Sequence, residues 1–185
     1  MAYLVTDKTP MAWRGPMAAG ALQQLLQQTQ WGELDILVVD MPPGTGDIQL
    51  TLSQKVQVAG AVIVTTPQDI ALLDAQKGIE MFLKVKIPVL GIVENMAVHV
   101  CTECGHAEHV FGDGGGQRVA ADYGTTLLGS LPLDLSIRQQ GDKGQPLAVA
   151  FPDQLISQQY RDIARSVMAA LGLMHVDSGP DIEFE

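Results

Sequence analysis

Four short apolar runs recur along the chain, and each is long enough for one strand. Apolar residues follow one another in these runs without polar alternation, which is typical of strands buried on both faces of a sheet. Helical patterns lie between the runs, and strands that alternate with helices form parallel sheets. We therefore predict an α/β fold with three layers, in which a mostly parallel sheet carries helices on both faces. The runs are Ile36–Val39, Ala61–Thr65, Val89–Val93 and Leu127–Leu131.

Apolar spacing predicts four helices. The first covers Met17 to about Gln28, the second is capped by Asp69, a shorter third covers Gln117–Tyr123, and the last follows Asp153. Two of them have a clear apolar face, so we expect these residues to be buried: Leu72, Ala75, Ile79, Phe82 and Leu83 in the second helix, and Ile156, Tyr160, Ile163, Val167 and Leu171 in the last.

The length of 185 residues suits one core rather than two independent ones. We predict a single, partial nucleotide-binding α/β domain over residues 1–175 and an acidic tail over 176–185. Residues 94–116 interrupt the strand–helix pattern, and this insertion holds both cysteines and three of the four histidines. Insertions at the carboxyl end of a strand usually carry function.

The charge and the cysteine count exclude several classes of protein. The formal net charge is −10 at pH 7 and no basic block occurs, which argues against binding to nucleic acid. The apolar runs are too short to cross a membrane, so we expect no membrane partner. Two cysteines cannot form a disulfide scaffold, and we expect reduced thiols in the cytoplasm.

The octet Asp40-Met-Pro-Pro-Gly-Thr-Gly-Asp47 follows the first apolar run. In α/β sheets, ligands collect at the carboxyl ends of strands. Asp40 is therefore a candidate to hold Mg²⁺ through water, and Asp47 to orient an attacking water. Gly44 and Gly46 allow backbone N–H groups to approach a phosphate, because no Cβ is in the way. The alternative is a stiff turn between a strand and a helix.

The pair Cys101-Thr-Glu-Cys104 offers two soft thiolates, which suit zinc or an iron–sulfur cluster. Three interpretations remain. Two reduced cysteines can lie in a plain turn. A single-chain zinc site can use nearby His99, His106 and His109, although the spacings are tight for zinc. We favour the third, in which two chains share a [4Fe–4S] cluster with four thiolates, because it needs only an isologous dimer.

Five segments together resemble the Mrp/ApbC family of iron–sulfur cluster carrier ATPases, within the wider MinD/ParA-like group of P-loop proteins. The segments are Trp13–Pro16, Asp40–Asp47, Gly91–Met96, Cys101–Cys104 and Gly129–Leu133. The resemblance implies an ATP-dependent dimer that holds a [4Fe–4S] cluster between its subunits and passes it among scaffold proteins and apo-proteins. It also implies that Asp40 is the Mg²⁺-linked carboxylate. By position alone Asn95 is equally consistent with capping a loop; the resemblance favours contact with adenine.

Family members carry a Gly-rich phosphate-binding loop, and this sequence has none. None of the six lysines stands in a Gly-x-x-x-x-Gly-Lys-Ser/Thr context. We expect a family member that lacks this loop and the strand before it. ATP hydrolysis is implied by the family, whereas we expect negligible hydrolysis by this chain alone. The alternative function is a non-enzymatic zinc-binding or interaction fragment.

Overall fold

A computed structural model describes residues 15–41, 49 and 56–174 of the chain. The backbone divides into two compact units, Met1–Val58 and Ala59–Glu185. The predicted site residues Gly44, Gly46 and Asp47 and the predicted tail 176–185 lie outside the described residues. No helix in the described part is long and apolar enough to span a membrane.

The first unit contains helix α1, Gly15–Gln28, which confirms the helix predicted from Met17. Pro16 lies in its first turn, where the missing N–H of proline costs nothing. After the helix, the indole Nε1 of Trp31 donates a hydrogen bond of 3.1 Å to the carbonyl oxygen of Leu26. This bond holds the chain against the end of α1 as it leaves the helix.

The prediction of a strand at Ile36–Val39 is wrong. These residues have no regular secondary structure, and the Val38 side chain is 86% exposed. A strand is stabilised by pairing and by packing against its neighbours, so an apolar run does not form one by itself. Within the described residues no strand pairs with this run.

The second unit carries the α/β pattern, and three of the predicted strands are confirmed. Its elements follow in chain order: β1 Ala61–Thr65, α2 Asp69–Lys84, β2 Val89–Glu94, β3 His99–Val100, β4 Ala107–Glu108, α3 Gly115–Asp122, β5 Leu127–Ser130, α4 Leu135–Asp142, α5 Leu147–Ala150 and α6 Leu155–Met174. Strands β1, β2 and β5 form a parallel sheet in the order β1-β2-β5. The fold is therefore α/β, as predicted.

Helices cover both faces of this sheet. Helices α2 and α3 pack on one face, where Ile63, Ile79 and Ile92 belong to the central apolar cluster. Helix α6 packs against β2 and β5 on the other face, and Ile163 lies directly over Gly129. Because α6 does not lie over β1, that strand is buried on one face only and Val64 is 63% exposed.

Two details of helix α2 correct the predictions. Asp69 is the first helical residue and Gln68 is the N-cap, without a side-chain capping bond. The Asp69 carboxylate therefore lies in the first turn, where it interacts favourably with the helix dipole. Leu83, predicted to be buried, is exposed, and Met81 is buried instead.

The short helices α4 and α5 were not predicted. The signal for α4 is Asp134, whose carboxylate accepts a hydrogen bond of 2.7 Å from the backbone N–H of Ser136. An Asp at this position is a strong N-cap. The hydroxyl of Ser157 in α6 donates to the carbonyl oxygen of Phe151 at 2.7 Å and lies 3.1 Å from that of Leu147, so its single proton is shared between them and joins α6 to the end of α5.

Candidate metal centre

The two cysteines lie on a small β-hairpin that projects between β2 and α3. Strands β3 and β4 are antiparallel, with His99 opposite Glu108 and Val100 opposite Ala107. The predicted insertion thus contains secondary structure of its own. We call residues 99–108 the cysteine hairpin.

Backbone hydrogen bonds close the turn of the cysteine hairpin. The N–H of Cys101 donates to the carbonyl oxygen of His106, and the N–H of Gly105 donates to the carbonyl oxygen of Cys101, each at 2.9 Å. Gly105 has a φ of +71°, which a residue with a Cβ adopts at a cost. Both thiols are free; Cys104 is exposed and Cys101 half-buried, so one tight turn presents two thiols near the surface.

The same turn favours the thiolate form of Cys101. The backbone N–H of Cys104 lowers the pKa of the Cys101 thiol most, followed by the backbone N–H of Glu103. The Cys104 side chain and the charge of His99 lower this pKa further. Since a thiolate is the form that binds metal, the turn is suited to hold a metal through sulfur.

Two of the three histidines in residues 94–116 are held by backbone carbonyl groups. Nδ1 of His99 lies 3.1 Å from the oxygen of Leu133, and Nδ1 of His109 lies 2.8 Å from the oxygen of Ala97. Because a carbonyl oxygen only accepts, each Nδ1 carries a proton and donates it. Across residues 15–41, 49 and 56–174, no three His, Cys, Asp or Glu side chains are grouped so that they can hold a metal ion.

Asn95, the predicted adenine contact, follows β2 at the carboxyl edge of the sheet. Its backbone N–H donates to Thr65, the last residue of β1, at 2.7 Å. Its side-chain Oδ1 accepts a hydrogen bond of 3.0 Å from the backbone N–H of Met96, which has a positive φ of 56°. The side chain therefore caps the loop through its oxygen, and its NH₂ group is the end not used in this bond.

Asp40 lies in the first unit, at the end of the exposed apolar run, and its side chain is exposed. It was predicted together with Asp47, Gly44 and Gly46, which are not among the described residues. The roles assigned to these four residues and to Asn95, Cys101 and Cys104 stay predictions.

Sequence reasoning missed Glu94, the residue before Asn95. Its side chain is buried, and its Oε2 accepts a hydrogen bond from the backbone N–H of Gly116. The signal was a carboxylate at the end of an otherwise apolar strand, together with the glycine run 114–116. That run caps and starts α3, two residues before the predicted start at Gln117.

The fold and the hairpin define a class of protein: an α/β domain with a parallel sheet and a pair of free cysteines after one strand. A family model described as the NUBPL iron-transfer P-loop NTPase, within ParA, matches residues 1–168. The chain belongs to this family, and the resemblance to the Mrp/ApbC carriers is confirmed.

Individual relatives agree with this assignment. The chain is 65% identical to an iron–sulfur cluster carrier protein of Pseudomonas fragi, over 89% of this chain and 57% of the relative. It is 59% identical to the iron–sulfur cluster carrier protein of Escherichia coli K12, over 91% of this chain and 46% of the relative. The chain thus spans about half the length of these curated relatives.

A solved structure supports the fold. The nucleotide-binding protein of Archaeoglobus fulgidus, in complex with ADP, is 41% identical to this chain and superposes with a TM-score of 0.62. The match covers 69% of this chain and 52% of that one. The P-loop-like α/β fold expected from the motifs is therefore confirmed.

Proposed function

We propose that this chain is a carrier of a [4Fe–4S] cluster, held between two copies by Cys101 and Cys104 of each. The observation that carries the proposal is the hairpin turn, which brings two thiols together and has no third metal-ligating side chain grouped with them in the described residues. A [4Fe–4S] cluster takes four cysteine thiolates. Two copies related by a two-fold axis supply them.

The surface around the thiols suits such an interface. Val100 beside Cys101 and Val110 just after β4 are both exposed, and burial of apolar area favours association. A two-fold interface places the same patch on both subunits, so one hairpin meets its own copy. The cluster then bridges the two chains, and a homodimer is required for its binding.

The exposure of the turn also suits transfer of the cargo. Cys104 is at the surface, where the thiols of an apo-protein can approach and replace those of the carrier one at a time. The partners are therefore apo iron–sulfur proteins that receive the cluster and scaffold proteins that supply it. Free thiols need a reducing compartment, and we place the protein in the cytoplasm.

We propose a nucleotide with Mg²⁺ as the ligand of Asn95 and, from the sequence motif alone, of the octet Asp40–Asp47. Asn95 lies where β1 and β2 end, and ligands bind at this edge of parallel sheets. Its NH₂ group can donate to a ring nitrogen of adenine. We assign the exposed carboxylate of Asp40 to hydrated Mg²⁺, Asp47 to an attacking water, and the backbone N–H groups of Gly44 and Gly46 to phosphate. A bound nucleotide supplies the phosphate charge that Mg²⁺ neutralises.

The decisive experiment is anaerobic reconstitution of the Cys101→Ser/Cys104→Ser double variant. We expect loss of iron, sulfide and absorbance near 400 nm, and a smaller dimer fraction by light scattering, because serine hydroxyls do not replace thiolates. Thr102→Ser, an exposed change in the same turn, is the matched control and should keep the cluster. A double variant with wild-type iron content and an unchanged dimer fraction contradicts the shared site.

A second candidate is a non-enzymatic zinc-binding or interaction module. The observation in its favour is the His99 ring, whose Nδ1 is hydrogen-bonded to the backbone carbonyl oxygen of Leu133 at 3.1 Å. This is the arrangement of many zinc-ligating histidines. Metal analysis after aerobic purification separates the two: a colourless protein with one zinc per chain supports the module, and a brown protein supports the cluster.

A further inference from the structure

One buried carboxylate has no part in the function proposed above. Glu94 ends β2 at the point where the chain leaves the sheet for the cysteine hairpin, and it is only 4% exposed. The residues around it in the strand are apolar and buried. A carboxylate in such surroundings costs free energy unless it is hydrogen-bonded, so its presence calls for a specific contact.

That contact joins the two ends of the insertion 94–116, the segment that leaves the sheet after β2 and returns at α3; we call this segment the excursion. Oε2 of Glu94 accepts a hydrogen bond of 2.5 Å from the backbone N–H of Gly116, 22 residues further along the chain. Gly116 lies in the first turn of α3, where N–H groups have no partner within the helix. The N-cap is Gly114, which has no side chain, and the first turn contains no acidic residue. Glu94 therefore supplies the cap of α3 from the neighbouring strand.

The glycine run is what allows this close approach. A Cβ on Gly116 would lie 3.0 Å from Cβ and 3.2 Å from Oε2 of Glu94. A Cβ on Gly115 would lie 2.8 Å from the Leu72 side chain of α2. The start of α3 is thus packed directly against β2 and α2, with no space for a larger residue.

The rest of the excursion is held by a small set of hydrogen bonds. The outgoing arm is the part of the excursion before the cysteine hairpin. There the N–H of Ala97 donates to the carbonyl oxygen of Leu131, and the carbonyl oxygen of Val98 accepts from the N–H of Leu133. The returning arm is the part of the excursion after the cysteine hairpin. There the His109 ring donates from Nδ1 to the carbonyl oxygen of Ala97, and the N–H of Gly116 donates to Oε2 of Glu94. Of the hydrogen bonds made by the returning arm, the Glu94 bond is the one that reaches the sheet itself, where it adds to the packing of α3.

We propose that Glu94 is a positioning residue for the cysteine hairpin: its carboxylate closes the base of the excursion and so fixes where Cys101 and Cys104 lie relative to the sheet. The part of this proposal that concerns the cluster rests on the proposed function. Two hairpins must present four thiolates in one geometry, so looseness at the base weakens the shared site. Outer groups that orient metal ligands typically change metal affinity by roughly ten- to a hundred-fold.

Four variants test the role of Glu94. Glu94→Leu keeps the size and removes the acceptor, whereas Glu94→Gln keeps an oxygen that can accept from Gly116. Gly116→Ala keeps the carboxylate and places a Cβ 3.0 Å from Cβ and 3.2 Å from Oε2 of Glu94, so that the Glu94 side chain must shift. Glu108→Gln makes the same chemical change at an exposed position in the hairpin and is the matched control.

Two readouts are needed, one of which does not depend on the cluster. The first is amide hydrogen exchange of residues 95–116 in the metal-free protein, with β1, β2 and α2 as internal references. The second is the half-life of the reconstituted cluster in the presence of an iron chelator. We expect Glu94→Leu and Gly116→Ala to accelerate exchange within 95–116 only and to shorten the cluster half-life roughly ten-fold. Glu94→Gln and Glu108→Gln should stay close to wild type.

The outcomes distinguish this proposal from the proposed function. If wild-type protein holds no cluster, the proposed function fails, while the exchange pattern still decides the role of Glu94. Unchanged exchange in both Glu94→Leu and Gly116→Ala overturns the positioning role. Equal acceleration in the hairpin and in the sheet also overturns it, because that pattern describes general destabilisation. Should Glu94→Leu fail to fold, Gly116→Ala and its contrast with Glu94→Gln decide the question.

Discussion

The parallel sheet and the cysteine hairpin are held by different forces. In the sheet, Ile92 is 0% exposed and packs within a cluster of apolar side chains. In the hairpin, Val100 is 48% exposed, and backbone hydrogen bonds close the turn. Burial thus fixes the sheet, whereas hydrogen bonds hold the hairpin and leave its thiols at the surface. The difference means that a change in the hairpin leaves the apolar core intact.

The largest effect on stability is expected in the sheet. Ile92→Ala removes the most buried side chain of β2 and should lower the free energy of unfolding by about 3 kcal/mol, through lost burial and a cavity. Val100→Ala, in the hairpin, should change it by less than about 0.5 kcal/mol. Urea denaturation measures both. Similar losses at the two positions would show that the hairpin is part of the core.

A smaller effect is expected at the hairpin turn. Gly105→Ala places a Cβ on a residue with positive φ and no neighbouring atom within 4 Å, so only the backbone opposes it. The cost should be about 1 kcal/mol, and cluster loss should be faster. Gly141→Ala, in α4 and also without neighbours, should be neutral or slightly stabilising. Equal results for the two alanines would mean that the turn conformation does not matter.

The third prediction concerns the pH dependence of Cys101. Turn N–H groups, that of Cys104 foremost, lower the pKa of this thiol in the folded chain. Its thiolate therefore persists to lower pH than in the unfolded chain, and the associated stabilisation is lost as pH falls through the folded pKa. Alkylation followed by mass spectrometry should show Cys101 reacting at lower pH in the folded protein than in urea. A higher onset in the folded protein contradicts the role of the turn.

The smallest effect is expected for the substitution Asp40→Ala on the rate of nucleotide hydrolysis. The sequence contains no Gly-x-x-x-x-Gly-Lys-Ser/Thr segment to hold phosphates and neutralise developing charge. We expect Mg²⁺-dependent phosphate release by this chain to equal the buffer blank, and Asp40→Ala to change nothing. Turnover that Asp40→Ala abolishes would show that the chain completes a hydrolytic site by other means.

Two apolar runs show how far the sequence could predict the fold. Ile36–Val39 and Ala61–Thr65 have nearly the same character, yet only the second is a strand, because β2 pairs with it and α2 covers it. Pairing partners come from the whole fold and cannot be read from a run of five residues. The runs that became β2 and β5 were predicted from the same apolar character, and they are strands because each has a pairing partner in the sheet.

The candidate site was predictable where spacing carries the chemistry. Cys101 and Cys104 were singled out because two thiols three residues apart can bind one metal site. The Glu94–Gly116 bond was not predictable, since it joins positions 22 residues apart through a single side chain. The His99 and His109 contacts with backbone oxygens were missed for the same reason.

The most direct test of the account is the mass and metal content of the anaerobically reconstituted protein by native mass spectrometry. If two copies share the cluster, the protein is a dimer that contains one [4Fe–4S] cluster, and it becomes monomeric once a chelator removes the iron. The reason is that each chain supplies only two thiolates. A monomer that holds a complete cluster, or one zinc ion per chain with no iron, would contradict it.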